Sequence, residues 1–276
     1  MKFKYLGTAA AEGIPAVWCE CEVCRKSREK GGRNIRTRCQ AIIDDRLLID
    51  FGPDSYMHSL QNGIDYTHIN HCIITHNHGD HFYPLEFFGR HRYVAKLSDQ
   101  CMLTLYGSQP SVEKFEEIIK KENELVRQYM DMKQINAFEP FEAEGFKITP
   151  LKASHEEACE PLFYAIEKDG RSVLYAHDSG YFCEETWDYI QHMDCTFDLV
   201  SLDCTLYRQD RRLHHMGIES CKEVRQRLLD TGKCDEHTIF CVNHFSHNGG
   251  ATYDEMVAEA KEHGFEVPYD GMEIIL

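Results

Sequence analysis

The chain has 276 residues, 42% hydrophobic and 28% charged, which is enough for well-buried cores and matches the profile of an ordinary globular protein. With 30 basic against 46 acidic side chains, the net charge of −16 repels nucleic acid and acidic membrane surfaces, so an anionic substrate needs a local positive site. The apolar runs are too short to span a membrane and Met1 to Leu6 reads as a short strand; thirteen cysteines without a secretion signal argue for reduced thiols and metal ligands in a cytoplasmic protein.

No repeat, low-complexity run or Pro/Gly/Ser-rich linker breaks the chain, so one domain over residues 1–276 is expected. Short apolar runs ended by turn or polar residues predict strands at Phe3–Leu6, Ala41–Ile43, Leu47–Asp50, Cys72–Thr75 and Met102–Tyr106, with Asp44-Asp45 as a hairpin turn. Val112, Phe115, Ile119, Leu125 and Tyr129 keep near-helical spacing, which predicts a helix over Ser111–Met132. Ile148 to Leu151 is a further apolar run. Phe163–Glu167 and Ser172–Tyr175 read as a second hairpin around Asp169-Gly170. Strands at Leu199–Leu202 and Thr238–Val242 then alternate with a helix at Ile218–Leu229. Early hairpins and later strand–helix alternation predict mixed sheets covered by helices, with ligands on loops along one sheet edge.

The densest chemistry is Thr75-His76-Asn77-His78-Gly79-Asp80-His81, directly after a predicted strand. Imidazole and carboxylate ligands suit zinc, iron or manganese, and a tight turn lets side chains two to five residues apart converge, with Gly79 supplying the freedom for it. The plainer alternative is a His-rich surface loop. Downstream, His155, Asp178 and His244 each follow an apolar run, where they can reach the same sheet edge. Alone, each reads as a hydrogen-bonded structural residue; together with the first cluster they make five His and two Asp. A second cluster, Cys19-Glu20-Cys21-Glu22-Val23-Cys24, lies in a loop after Gly13-Ile14-Pro15. Cys19, Cys21 and Cys24 can face one ion, and His247 is placed to complete a closed, structural zinc site in a loop spanning 13–39. Three reduced structural cysteines are the alternative.

These residues resemble the metallo-β-lactamase superfamily, whose signature is HxHxDH followed by a distant His, a distant Asp and a late His, over nearly the whole chain from Phe3 to Ile275. The resemblance implies an α/β fold, a four-layer αββα sandwich of two mixed β-sheets with a dinuclear site at one edge. It assigns His76, His78 and His155 to one metal, Asp80, His81 and His244 to the other, and Asp178 as the bridge between them. The GxP…CECxxC loop, the late His244-Phe245-Ser246-His247 and the C-terminal Gly264-Phe265-Glu266-Val267 to Asp270-Gly271-Met272-Glu273-Ile274 are similar to the phosphoribosyl 1,2-cyclic phosphate phosphodiesterases of phosphonate breakdown. That likeness implies manganese at the dinuclear site and one structural zinc at the cysteine site, while nitrogen and oxygen ligation at the first site is equally compatible with zinc or iron.

The expected reaction is hydrolysis of a small cyclic phosphodiester, most specifically phosphoribosyl 1,2-cyclic phosphate. Two ions roughly 3.5–4 Å apart would activate a shared water and clamp the phosphoryl oxygens, with Asp178 setting their separation. His215 is the candidate proton donor to the leaving oxygen, by resemblance, with His214 the competing choice. Hydrolysis of a 2′,3′-cyclic nucleotide, an RNA 3′ end, a thioester or a lactone keeps the fold and changes the chemistry. A metal-binding protein without turnover is the third reading, disfavoured because all seven ligand positions are filled. Arg25 to Arg38 carries seven basic residues against one acid, either to steer a phosphate or as a solvated helix face. His177, beside Asp178, is an outer-shell candidate. A small molecule is the expected partner, with neither nucleic acid nor membrane; a homodimer and the sugar-binding residues stay open.

Overall fold

The computed structural model describes residues 1–98, 101–122 and 124–276. Its strands form two sheets. The first has the order β13 (Glu273–Ile275), β1 (Lys2–Gly7), β2 (Gln40–Ile43), β3 (Leu47–Ile49), β4 (His71–Ile73), β5 (Leu103–Gly107), β6 (Met130–Gln134). Pairing is antiparallel from β13 to β3 and parallel from β3 to β6. The second has the order β12 (Ile239–Asn243), β11 (Leu199–Asp203), β10 (Arg171–Ala176), β9 (Leu162–Lys168), β8 (Phe146–Lys152), β7 (Phe141–Ala143). Here β10, β11 and β12 run parallel and the rest antiparallel.

Side chains alternate faces along a strand, and that alternation separates three cores. Phe3, Tyr5, Ile43, Ile49 and Ile73 meet Tyr164, Ile166, Val173 and Tyr175 between the sheets. Their neighbours Ile42, Leu48 and Cys72 turn outward onto Phe115 and Ile119 of α3 (Gln109–Glu122), which follows α1 (Glu22–Lys30) and α2 (Ser55–Asn62) in the chain. Leu174, Val200 and Val242 turn outward from the second sheet. They meet Trp187 and Ile190 of α4 (Glu184–His192), Val224 and Leu228 of α5 (Ile218–Asp230), and Met256 and Ala260 of α6 (Tyr253–Glu262). The result is the expected αββα sandwich, each fully buried large side chain contributing about 1.5–3 kcal/mol of transfer free energy. No helix among the described residues is long and apolar enough to cross a membrane.

Both expected hairpins form. Lys168 pairs with Arg171, and Asp169 and Gly170 have φ of 51° and 74°, the left-handed pair a two-residue primed turn requires; Ile43 pairs with Leu47 across a three-residue loop in which Asp44 and Asp45 have φ of 52° and 54°. The helix expected over Ser111–Met132 is shorter. It ends at Glu122, and Met130–Gln134 is instead strand β6, parallel to β5. Met130 and Met132 are buried while Asp131 and Lys133 are exposed, so period 2 overrides the near-helical spacing there.

Parallel strands direct their carboxyl ends to one edge, and the expected ligands follow closely. His76 comes three residues after β4, Asp178 two after β10 and His244 one after β12. Asp178 and His244 turn out of their strands at once, with left-handed φ of 47° and 62°, a conformation that costs non-glycine residues on the order of 1–3 kcal/mol and clusters at functional sites.

Candidate metal centre

The loop after β4 is held by its neighbours rather than by its own glycine. Gly79 adopts no left-handed φ, and a Cβ there would meet nothing within 4 Å. The main chain of Phe51 instead pairs on both sides, Phe51 N donating to His81 O at 2.8 Å and Tyr83 N to Phe51 O at 2.8 Å. Gly52 makes this docking possible, because a Cβ at that position would lie 1.9 Å from the Asp80 carbonyl oxygen.

Docked this way, the seven expected ligands converge. The ligand atoms of His76, His78 and His155 lie within 4.8 Å of one another, as do those of His76, His81 and Asp178. His155 Nε2 is 3.3 Å from His78 Nδ1. Asp80 Oδ2 is 3.1 Å from His81 Nε2. Asp178 Oδ2 approaches His81 Nε2 at 2.7 Å and His244 Nε2 at 2.9 Å, while its Oδ1 faces His155 Nε2 at 3.9 Å. Asp178 thus turns one oxygen toward each half of the cluster.

His155 and His78 are within hydrogen-bond geometry, but the approaches to Asp178 Oδ2 and to His81 Nε2 are not. Nε2 of His76, His81 and His244 and Oδ2 of Asp178 are buried with no hydrogen-bond partner. Orphaned buried polar atoms each cost about 1–3 kcal/mol, and several pointing into one space fit divalent cations, for which nitrogen and carboxylate oxygen are suitable ligands. Burial holds the His76 imidazolium well below the ordinary range, which leaves a neutral ring with a free lone pair. Burial alone would raise Asp178, but the charges of His244 and His81 outweigh it and hold the carboxyl well below the usual range.

Outer partners fix each ring, and several were not singled out from sequence. Asp50, buried at the end of β3, accepts from His81 Nδ1 at 2.8 Å and from Thr75 N at 2.7 Å. Thr205 Oγ1 lies 2.6 Å from His244 Nδ1. Asp203, the last residue of β11, is fully buried and holds His215 Nδ1 at 2.9 Å. Glu156 Oε2 lies 2.9 Å from His78 Nε2. The available signal was a carboxylate directly after an apolar strand, in Ile49-Asp50 and Leu202-Asp203, and it carries no hint of which imidazole it serves.

Of the two candidate acids, His215 enters the centre and His214 does not. The His215 ring packs 5.0 Å from His155 and 5.7 Å from His244, with Nδ1 3.8 Å from Asp178 Oδ1. Burial alone would lower its imidazolium, but the charge of Asp203 and the hydrogen bond to it raise it to about 9. His214 is exposed; its carbonyl accepts from His155 Nδ1 at 3.1 Å and its ring stands edge-on to His155 at 5.8 Å, on the outer side of the cluster. His177 is buried and bonds Ser201 Oγ at 2.8 Å, beneath the centre rather than in it. A cleft of about 620 Å³ opens beside His155, lined in part by Ser108, Asn136, Phe138 and Ser154.

The cysteine cluster also assembles. Sγ of Cys19, Cys21 and Cys24 and one nitrogen of His247 lie within 4.8 Å of one another, and His247 Nδ1 is 3.5 Å from Cys19 Sγ and 3.4 Å from Cys21 Sγ. The segment is not all loop, since Cys21 caps α1 (Glu22–Lys30) and Cys24 lies in its first turn. Burial pushes against the Cys21 thiolate, yet the Cys24 amide and His247 bring that thiol down to about 6. Glu12 Oε1 stands 3.6 Å behind His247 Nε2, the outer carboxylate such a ligand histidine commonly has. The basic run is absorbed internally. Arg36 is buried on Thr8 and the Pro268 carbonyl, Arg38 pairs with Asp54, Lys30 with Asp254 and Lys26 with Glu255, which leaves few of these charges to steer a phosphate.

A family model described as a beta-lactamase superfamily domain matches residues 45–236, which includes His76 to His215 and leaves out His244 and the cysteine cluster. The chain is 27% identical over 160 residues to the octanoyltransferase of Porphyromonas gingivalis (strain ATCC BAA-308 / W83), covering 56% of this chain and 31% of the relative. It is 30% identical over 167 residues to ribonuclease Z of Exiguobacterium sibiricum (strain DSM 17290), covering 60% of this chain and 47% of the relative. The chain therefore spans less than half of the length of these curated relatives. Among solved structures it is similar in fold to a diphosphatase of the PhnP family, with a TM-score of 0.72 and 20% identity over 99% of this chain and 97% of the other.

Proposed function

The chain belongs to the metallo-β-lactamase superfamily of metal-dependent hydrolases, and on that premise we propose that it opens a small cyclic phosphodiester, most specifically phosphoribosyl 1,2-cyclic phosphate. The observation that carries this reading is Asp178, turning one oxygen toward each half of a ring of histidines in which the buried Nε2 atoms of His76, His81 and His244 have no hydrogen-bond partner. His76, His78 and His155 would hold one cation, Asp80, His81 and His244 the other, with Asp178 shared. When bound, two such cations polarise a phosphoryl oxygen and lower the pKa of water. Cys19, Cys21, Cys24 and His247 would hold a structural zinc that closes segment 13–39 onto the loop after β12.

The protein's own residues supply orientation and a proton. Asp50 accepts a hydrogen bond from the Nδ1–H of His81, and Thr205 engages Nδ1 of His244, so both rings present Nε2 to the centre. Asp203 holds His215 by Nδ1, which leaves Nε2–H to serve as the donor. That proton passes to the leaving alkoxide oxygen as the phosphorus–oxygen bond breaks, a contribution of about 10²–10⁴ in rate.

The ribonuclease Z match favours a second reading, cleavage at an RNA 3′ end, and the net charge of −16 stands against it. Phosphorus NMR of phosphoribosyl 1,2-cyclic phosphate with the manganese-loaded protein separates the two, with Asp178→Ala as control. Ring opening to a monoester, abolished in Asp178→Ala, is expected. No turnover by protein carrying its metals, alongside cleavage of a short RNA, would transfer the assignment to the second reading.

A further inference from the structure

Between β8 and β9, a short turn at Glu157–Cys159 places two side chains on the outer nitrogen of His78. Glu156 Oε2 lies 2.9 Å and Cys159 Sγ 3.3 Å from His78 Nε2, and the three ligand atoms fall within 4.8 Å of one another. Zinc bond lengths of about 2.0–2.3 Å in a tetrahedron put ligand atoms roughly 3.3–3.8 Å apart. Imidazole, thiolate and carboxylate therefore stand near the spacing one ion requires. Glu156 is exposed, so the fourth position opens to water, while Cys159 is buried.

His78 also faces inward, its Nδ1 3.3 Å from His155 Nε2. A neutral imidazole has one lone pair and one N–H. His78 can therefore offer its lone pair to the dinuclear centre through Nδ1 or to the Glu156–Cys159 pair through Nε2, but not to both while it keeps its proton. We propose that Glu156, Cys159 and Nε2 of His78 form a peripheral site for a soft divalent cation such as zinc, whose occupancy withdraws His78 from the dinuclear centre and inhibits the enzyme. The inhibitory half rests on His78 serving that centre, as in the function proposed above. On binding, the Cys159 thiol releases one proton to solvent, and the His78 ring proton moves from Nε2 to Nδ1. Thiolate selects zinc or cadmium over manganese, so excess manganese leaves the site vacant.

The experiment titrates the full-length, manganese-loaded protein with zinc for activity, and separately with cadmium for bound equivalents and thiolate charge-transfer absorption. Wild type is expected to lose roughly tenfold or more activity as zinc exceeds loading, to regain it on mild chelation, and to be indifferent to excess manganese. Cys159→Ser is expected to bind one cadmium fewer, lack the corresponding absorption and resist zinc. Glu156→Gln, a change on the surface that spares the fold, is expected to weaken the extra cadmium by roughly tenfold. Equal cadmium stoichiometry and absorption in wild type and Cys159→Ser would overturn the site. An extra cadmium lost in Cys159→Ser but without effect on activity would keep the site and overturn both the inhibition and the assignment of His78 to the centre. The cadmium measurement needs no turnover, so it decides the site whichever substrate the enzyme uses.

Discussion

His215 and His214 are neighbours in sequence with opposite surroundings, and the difference lies in what holds each ring. His215 is clamped by the buried Asp203 and packed between His155 and His244, whereas the exposed His214 touches only His155, through its carbonyl and the edge of its ring. If His215 protonates the leaving group, His215→Ala should slow hydrolysis of an alkyl phosphodiester by about 10²–10⁴ and barely affect a nitrophenyl ester, whose leaving group needs no proton. Equal losses on the two substrates would remove the acid role. Asp50 acts one step further out. Asp50→Asn keeps the volume but removes the charge that fixes the His81 Nδ1 proton, so affinity for the second cation should fall about 10- to 100-fold in chelator competition. Unchanged affinity would mean that His81 is oriented by packing alone. Neither partner was legible beforehand, because hydrogen bonds between residues 31 and 12 positions apart leave no periodic trace.

At the scale of elements, the strands that carry ligands were the most legible. Each is a short apolar run buried on both faces, followed at once by a residue type that does not belong in a core. What escaped the sequence were elements whose pattern is weak or divided between two periods. Strand β6 lies at the tail of a helical stripe, and only the Met130/Met132 alternation betrays it. Strand β13 is three residues long and exists because β1 offers it an edge. Helix α1 was hidden because its cap is Cys21 rather than Ser, Thr, Asp or Asn. That cap ties the element to the ion it would hold. Cys21→Ser retains a hydroxyl able to cap but removes a thiolate, so the variant should lose one zinc equivalent and several kcal/mol of stability, roughly 5–10 °C in thermal midpoint. A variant with full zinc content would show that the cluster is three reduced cysteines beside a histidine.

For the whole molecule, the decisive fact is which sheet each ligand comes from. His76, His78, Asp80 and His81 follow β4 of the first sheet, while His155, Asp178 and His244 follow β8, β10 and β12 of the second. The sheets meet mainly through the apolar layer between them, with a few polar contacts such as Tyr5 to Ser201 and Tyr164 to the Ile74 carbonyl, so cations at this edge would clip together two halves of the sandwich whose ligands lie as far apart in sequence as His76 and His244. Binding to the folded state alone stabilises it by RT ln(1 + [L]/Kd), about 4 kcal/mol when free metal is a thousandfold above Kd. For a chain of this length that is roughly 7 °C in thermal midpoint. Cys21→Ser is the background of choice, since there the cysteine site makes no contribution. Manganese added to the metal-free protein should raise the midpoint by that amount, and Asp178→Ala, which removes the ligand shared between the halves, should abolish most of the increase. If the midpoint does not move, the ligands converge without sharing an ion, and the centre is a buried polar network rather than a metal site. If it moves equally in Asp178→Ala, the cations are held by one sheet alone and the clip between the halves does not exist.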